Sequence, residues 1–538
     1  MSSIRVPVLV VGAGYAGLSA AALLAWRGVA VTLVERHPST SVQPKAFGVN
    51  WRALELLRPV PGLERELSEI SEGIGDGMRI AIASSLADPD PKMIVEDSDD
   101  DFSFLRQVTP VPDIGAPQAQ VERVLRGKAE EYGADLRFST ELTSLVQDPE
   151  GVTATVRDLA TGAETTVRAD YVIAADGHRG RVRSMLGIPV TGRGELGSTC
   201  AIMFDADLTG LVRDRQVTLW YLQNEVFNGA IVTGTGVGAH VLAVHYDPAA
   251  GESEADFTPE RARELIEVAL GVPGIEAKVL DRNAFAVAHT LAARYQQGRV
   301  FLAGDAAHTM PPTGGQGGST ALQDGADLAW RLWLVLSGQA GPGFLGSYDA
   351  ERRPIGAITA DSQLANLAVR MPPAARAEFP EPVSDPFAVI IGQRYHSGAV
   401  LAEPGDDGSL LEPPMMPTAR PGSRAPHITL TKDGREVSVI DLFGHGFVLL
   451  AGPRGRAWAD AAGAVAQGLG VRLAPYVVGG PELGDPGDAW PARYGVAETG
   501  AVLVRPDGHI AWRAREAAAD PARTLEDVLR AVLDRPAG

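Results

Sequence analysis

Apolar positions in the first 35 residues fall in the order strand, helix, strand. A run from Ile4 ends at Val11, three glycines follow at Gly12, Gly14 and Gly17, a helical stretch carries on to Arg27, and a second apolar run closes on Glu35. The pattern predicts a βαβ unit. A helix is expected from about Asn50 to Leu57, and another over Pro117 to Tyr132 with Val121, Val124, Leu125 and Ala129 on one face, before a strand at Asp135 to Phe138. From Leu142 the alternation in GVTATVRD and TTVRADYVIAAD predicts hairpin structure that returns to a buried strand.

The segment Gly73 to Asp101 reads as short strands ending in an acidic run, Glu96 to Asp101, which is expected to be a solvated loop. Between Gly187 and about Asn283 the strings CAIMFDADL, QVTLWYLQ and HVLAVHYD predict strands, interrupted by one helix with Thr258 as its cap and Pro259 in its first turn. That texture predicts an antiparallel sheet inserted between pieces of the nucleotide domain. Arg299 to Asp305 is expected to be a buried strand, and Ser319 to Leu336 a long helix with Trp330 and Trp333 in the core. A stretch rich in Pro, Gly and acids, Leu401 to His427, predicts a linker. Strands and helices alternate beyond it, with a turn at Pro506, Asp507 and Gly508, and predict a third, small α/β domain.

Length and charge narrow the function. A chain of 538 residues should hold two or three domains. A formal charge of -19 argues against nucleic acid or an anionic membrane face as partner. Cys200 is the only cysteine, which excludes an intramolecular disulfide, a CxxC pair and a cysteine-based zinc site, and fits a reducing, cytoplasmic location. No apolar stretch approaches the ~18 residues of a membrane span and the amino terminus opens into a strand, so neither a span nor a signal peptide is expected. No metal site is expected, and no fixed-period repeat is evident.

The glycines of the βαβ unit have separate tasks. Gly12 permits the tight turn, Gly14 lets a pyrophosphate approach the backbone, and Gly17 lets helix and strand pack closely. The helix amino end offers free N–H groups and a positive dipole to the phosphates. Glu35, 18 residues after Gly17, is placed to accept from ribose hydroxyls. FAD and NAD both remain open at this point. Two later strings decide between them: AADGHRGRVR, with Asp176 and Gly177 ending a buried strand, and RVFLAGDAAHTMPPTGGQGGSTALQDGADLAW. In the second, Asp305 can accept from a ribityl hydroxyl. The loop Thr313 to Gly318 can bring backbone N–H groups against a flat ring, and the helix after it adds its dipole.

Together GAGYAG, ADG at Ala175 to Gly177, and AGDAAHTMPPTGGQG from Ala303 resemble the three fingerprints of the FAD-dependent aromatic hydroxylases, the flavoprotein monooxygenases with the p-hydroxybenzoate hydroxylase fold. FDADLTG, DFTPER and HYDPAAGE resemble the aklavinone-11-hydroxylase-type enzymes of aromatic polyketide tailoring; RAPHITL, VIDLFGHGFVLLAG and GAVLVRPDGHIAWR resemble a thioredoxin-like extension. The resemblance implies an α/β fold: a three-layer, Rossmann-like FAD domain over residues 1–75, 102–186 and 284–400, and an inserted antiparallel β substrate domain over 76–101 and 187–283. A linker at 401–427 and a thioredoxin-like domain without cysteines at 428–538 complete it.

By the same resemblance the FAD contacts are Gly12, Gly14, Tyr15, Ala16 and Gly17; Glu35 and Arg36 at the adenosine; Lys45; Gln118 near the phosphate and ribityl region; Leu142 near adenine; and Asp176. Gly304 and Asp305 would meet the ribityl chain, and Pro312, Gly315, Gln316, Gly317, Gly318 and Ser319 the isoalloxazine. Arg370 and Tyr221 match positions near the substrate, as cation and hydrogen-bond partner; a surface arginine and a core tyrosine are the competing readings. The chain departs from the family with Lys45 in PKAFG in place of arginine, GQGGS in place of GQGMN, and Gly180 after Arg179 in place of serine. Lysine keeps the cation and loses the bidentate fork.

The implied activity is hydroxylation of a phenolic polycyclic aromatic, polyketide-type substrate. NADPH or NADH would be the reductant and O2 the oxidant, acting through a flavin C4a-hydroperoxide; a homodimer is a possible assembly. Three alternatives stand beside it. A Baeyer-Villiger monooxygenase would use the same scaffold. A halogenase would need a WxWxIP string, which the chain lacks. A flavin-binding protein without turnover would show no ligand response.

Overall fold

The computed structural model describes residues 2–41, 46–71, 80–95, 103–112, 114–212, 219–233, 239–369 and 376–536. Its first sheet contains both strands of the predicted βαβ unit. Five strands run parallel in the order Val300–Leu302, Glu164–Ala174, Ser2–Val11, Val31–Val34 and Asp135–Arg137. Parallel strands covered on both faces read as near-continuous apolar runs, and Val8 to Val10 and Val172 to Ala174 are fully buried. The helix Tyr15–Trp26 and the helix Gln316–Leu336 pack against each other on this sheet. The predicted helices are found at Trp51–Leu57, with Asn50 as its cap, and at Gln118–Glu131.

Two boundaries differ from expectation. The strand Val300–Leu302 ends before Gly304, which with Asp305 lies in a short 3-10 turn. The long helix starts at Gln316 and not Ser319, so Gln316, Gly317 and Gly318 form its first turn. Gly315 explains the early start: its φ of +69° turns the chain directly into the helix, a conformation costly for a residue with a Cβ.

The second sheet has eight strands, ordered His308–Thr309, Lys278–Ala292, Val190–Asp205, Ala239–Tyr246, Asn228–Val232, Leu219–Gln223, Ile80–Ala83 and Lys92–Val95. Every pair is antiparallel except Leu219–Gln223 with Ile80–Ala83. The strand Lys278–Ala292 runs past the expected boundary at 283 and carries the sheet into the nucleotide domain. Thr258 accepts from the Arg261 N–H at 3.2 Å and caps the helix Pro259–Leu270. That helix covers one sheet face with Ala262, Leu265, Ile266, Ala269 and Leu270, packed on Trp220, Leu222, Ile231, Leu242 and Val244. The acidic run Glu96 to Asp101 lies outside the described residues.

The last unit is a four-stranded mixed sheet, Leu473–Val477, Phe447–Ala451, Ala501–Val504 and Ile510–Ala514, with the helices Arg456–Leu469 and Pro521–Val532 in its core. Trp330 and Trp333 are buried, and their core cluster is shared with this unit. The segment Leu401 to His427 contains no helix and no named strand, and it is packed down: Ser423 is fully buried, and Arg424 donates to Glu55.

Five buried arginines meet five buried carboxylates along this interface. Arg52 and Arg424 pair with Glu55, Arg331 with Asp327 and Glu351, Arg505 with Glu351 and Asp507, and Arg352 with Asp324. Their formal charges cancel, and each ion has a partner at the depth where an unpaired one would cost most.

Candidate active site

The three motifs converge at the carboxyl ends of the parallel strands. A Cβ on Gly12, which has a φ of +104°, would lie 2.2 Å from the Ala175 carbonyl oxygen; one on Gly17 would lie 1.9 Å from the Gly12 oxygen. The first and second motifs therefore touch through backbone. Gly304 has a φ of +59°, and a Cβ there would come within 3.2 Å of the methyls of Ala16 and Ala321. A Cβ on Gly318 would stand 3.0 Å from the Tyr15 ring. These contacts bring the third motif against the first.

Gly14 is different. Nothing lies within 4 Å of a Cβ built on it, and its φ of -82° suits any residue. The fold does not require this glycine, but a ligand passing over the backbone would. The helix it opens has neither a side-chain cap nor an acid in its first turn, and the same holds for the helix behind Gly315. Both ends leave first-turn N–H groups for an anion or a carbonyl.

Glu35 is anchored: its carboxylate accepts from the N–H groups of Ala13 and His37, each at 2.8 Å. Those bonds lock the glycine turn to the following loop and leave lone pairs for ribose hydroxyls. Arg36 is exposed beside it, donating to His37. Leu142 is buried on the strand Thr140–Asp148, whose first N–H donates to the Glu35 carbonyl at 2.8 Å. The Gln118 carboxamide donates to buried Glu122 at 2.6 Å, and Glu122 accepts in turn from the Ser41 N–H at 3.0 Å. Lys45 lies outside the described residues.

Asp176 turns back on its own loop. One oxygen accepts from the Val182 N–H at 3.0 Å, the other has no partner among the described residues, and burial raises the carboxyl above its ordinary range. A Cβ on Gly180 would fall 2.2 Å from the Asp176 carboxyl carbon, so the glycine at this departure from the family pattern makes room for the carboxylate. Asp305 faces outward and is exposed, and among the described residues no side chain bonds it. Pro312, Gly314 and Gly315 are exposed at the same mouth.

Sequence reasoning missed Asn50. Its side chain accepts from the Ala53 N–H at 2.9 Å and donates to Gln316 at 2.8 Å, while its N–H donates to the Ser319 hydroxyl at 2.9 Å. Gln316 and Ser319 thus tie the third motif to the helix Trp51–Leu57; the signal was an Asn directly before a helical run. Asp324 was missed as well, a carboxylate in the middle of an apolar-striped helix. His308, which the sequence left without a role, is buried and meets Asp324 at 2.7 Å.

The polar groups of this cleft fit a flavin dinucleotide. Two uncapped helix ends, an anchored carboxylate at the first turn, the exposed Asp305 and a buried Tyr15 hydroxyl, the last two without a partner among the described residues, all stand where the three motifs meet. Burial, with Glu122 nearby, raises the Tyr15 phenol and keeps it a neutral donor. Tyr221 lies on the strand Leu219–Gln223, pointing away from the face that the helix Pro259–Leu270 covers, whereas Trp220 and Leu222 point into it. Arg370 lies outside the described residues. Among the described residues no group of His, Cys, Asp and Glu could hold a metal ion, and no helix is long and apolar enough to cross a membrane.

Comparison with known proteins agrees with this geometry. The FAD binding domain family matches residues 5–363, and the aromatic-ring hydroxylase C-terminal family residues 418–536. Aklavinone 12-hydroxylase RdmE of Streptomyces purpurascens is 42% identical over 99% of this chain and 100% of its own. A 4-methyl-5-nitrocatechol 5-monooxygenase from Burkholderia sp is 41% identical over 99% and 98%. The crystal structure of aklavinone-11 hydroxylase with FAD and aklavinone superposes with a TM-score of 0.93, at 42% identity, over 99% of this chain and 100% of that one. With cleft, sequence and fold in agreement, the chain belongs to the FAD-dependent aromatic-ring hydroxylases.

Proposed function

We propose that this enzyme uses NAD(P)H and O2 to hydroxylate a phenolic, polycyclic aromatic substrate of polyketide type. The observation that supports the substrate class is the half-buried face of the second sheet opposite the helix Pro259–Leu270. Its register aligns Asn283, Ala201, Ala243, Ala230, Tyr221 and Ile82 in one row. Side chains in such a row share a face. Three neighbouring alanines make a flat floor, with Tyr221 at one end and Asn283 at the other. The sheet is joined to the flavin loop by the pairing of Thr290 with Thr309.

FAD when bound would supply the redox chemistry, passing the reducing equivalents of NAD(P)H to dioxygen so that one oxygen atom enters the ring and the other leaves as water. The protein's part is to hold and shape. Glu35 would accept from the adenosine ribose, Gly304 and Asp305 would meet the ribityl chain, and Gln118 would lie near the phosphate and ribityl region. First-turn N–H groups of Gly317 and Gly318 would favour negative charge on the flavin ring held there. Tyr221 hydrogen-bonds a substrate oxygen, and Arg370 favours the phenolate, whose ring carbons are more nucleophilic. The walls must exclude water to keep oxygen transfer coupled to reduction.

Hydroxylation of a single-ring catechol is the second reading, and the Burkholderia relative at 41% identity favours it. Reduction kinetics with matched panels of tetracyclic phenols and nitrocatechols separate the two. Acceleration by the tetracyclic panel alone supports the first reading, and acceleration by the catechols alone sinks it.

A further inference from the structure

Asp324 and Arg352 lie behind the flavin loop, and both are fully buried. The two oxygens of Asp324 do different things. Oδ2 accepts from the Gly304 N–H at 3.0 Å and from His308 Nε2 at 2.7 Å, so one atom holds the chain immediately before and three residues after Asp305. Oδ1 accepts from Arg352 Nε at 2.9 Å. Arg352 in turn donates from Nη1 to the Tyr395 hydroxyl at 2.9 Å. The Tyr395 ring is stacked on His509 of the carboxyl-terminal unit, with centroids 4.0 Å apart and planes at 28°. His509 is fixed by Asp507, at 3.1 Å from its Nδ1, and Asp507 by Arg505.

Resting on the FAD site described above, we propose that Asp324, Arg352 and Tyr395 are positioning residues for the flavin. Through them the cysteine-free carboxyl-terminal unit presets the turn that presents Asp305. The turn needs such a brace. Gly304 adopts a left-handed φ of +59° and Asp305 has no bond of its own among the described residues, so nothing beyond the turn fixes the direction of its carboxylate. A charge-assisted bond to the N–H before it and the imidazole after it supplies that direction, because low local dielectric strengthens the bond and penalises every misaligned alternative. Stability alone would not call for this arrangement, since well-packed apolar side chains can replace a buried ion pair without loss. Tyr395 is the link to cut, because it bonds Arg352 with its hydroxyl and the distant unit with its ring.

The test uses the full-length holoenzyme and two substitutions, Tyr395→Phe and Asp324→Asn, singly and together. FAD dissociation constants are read from flavin fluorescence on stepwise dilution, and thermal unfolding is followed on the flavin-stripped chain. Tyr395→Phe keeps the stack on His509 and should raise the FAD dissociation constant about fivefold or more, with the stripped chain unfolding near the wild-type temperature. Asp324→Asn should raise it further. In the Asp324→Asn background Tyr395→Phe should have no added effect, since both act through one path. A wild-type constant in Tyr395→Phe overturns the proposal, as do independent effects that multiply in the double variant. If Tyr395→Phe does not fold, Asp324→Asn decides alone, and a wild-type constant there overturns the proposal. Failure of the wild-type chain to retain FAD would instead refute the FAD site itself, a distinct result.

Discussion

Asp305 and Glu351 are carboxylates of one domain in opposite settings. Asp305 is exposed and unbonded among the described residues, at the mouth where three glycine-bearing motifs meet. Glu351 is fully enclosed, accepting from Arg331, Arg505 and Ser397. The same contrast holds for whole regions. In the cleft the helix ends are uncapped, and Asp305 and the Tyr15 hydroxyl have no partner among the described residues. In the interface with the carboxyl-terminal unit each ion has its partner inside the chain. Polar groups left open mark the site, and polar groups closed on one another mark the frame that holds it.

Breaking the closed side should have the largest effect. Glu351→Ala leaves Arg331 and Arg505 facing each other without their shared carboxylate, and loss of one partner of a buried pair is expected to cost about 3–5 kcal/mol. Urea unfolding of the flavin-stripped chain measures it, and a loss below about 1 kcal/mol would mean that the interface is not the frame described here.

Acid should loosen the same side. Burial lowers the His509 imidazole to about 4, against the pull of Asp507. Since its ordinary value is near 6.5, the unfolded chain binds the proton first as pH falls. The stability contributed by the neutral ring is complete above 6.5 and is lost as pH falls toward 4, to a total of about 3 kcal/mol. Asp327, raised to about 6 by burial, takes up a proton in the folded state and opposes this trend. The difference in unfolding free energy between wild type and His509→Gln isolates the histidine. It should shrink as pH goes from 7 to 4, and a constant difference would show that His509 does not titrate this way.

On the open side, effects should appear in ligand binding and leave stability alone. Asp305→Ala removes hydrogen bonds to a charged acceptor, worth about 1.5–3 kcal/mol, and should raise the FAD dissociation constant by about ten- to hundredfold. Unchanged flavin content on dialysis would remove this carboxylate from the site. The smallest change in stability should come from Gly14→Ala, where the new methyl meets no protein atom within 4 Å. The stripped chain should unfold within about 0.5 kcal/mol of wild type, while FAD binding weakens because the methyl enters the pyrophosphate path. Destabilisation with normal FAD affinity would assign this glycine to the fold.

Much of the open side was legible in the chain. Glycines, strand ends and Glu35 are local signals, each tied to a turn or a helix start within a few residues, and helix bounds at Asn50 and Thr258 follow from the side-chain caps there. Gly315 shows the limit of local reading: four glycines between Thr313 and Ser319 suggested a loop, but the left-handed turn at Gly315 let the helix begin at Gln316. The closed side was hidden for a different reason. Arg424 and Glu55 are 369 positions apart, and Arg505 and Glu351 154 apart. Nothing in the neighbourhood of either member identifies its partner. A stretch rich in Pro and Gly therefore read as a linker although it supplies Arg424 to the buried network.

The most direct test of the account is the stopped-flow rate at which NADPH bleaches the flavin of the purified holoenzyme, with and without tetracyclic phenols. Flavin absorbance whose bleaching is accelerated by such a phenol, followed by a hydroxylated product in air, is the predicted result. A protein that retains no flavin after FAD is added, or a bound flavin whose reduction no aromatic ligand alters, would contradict it.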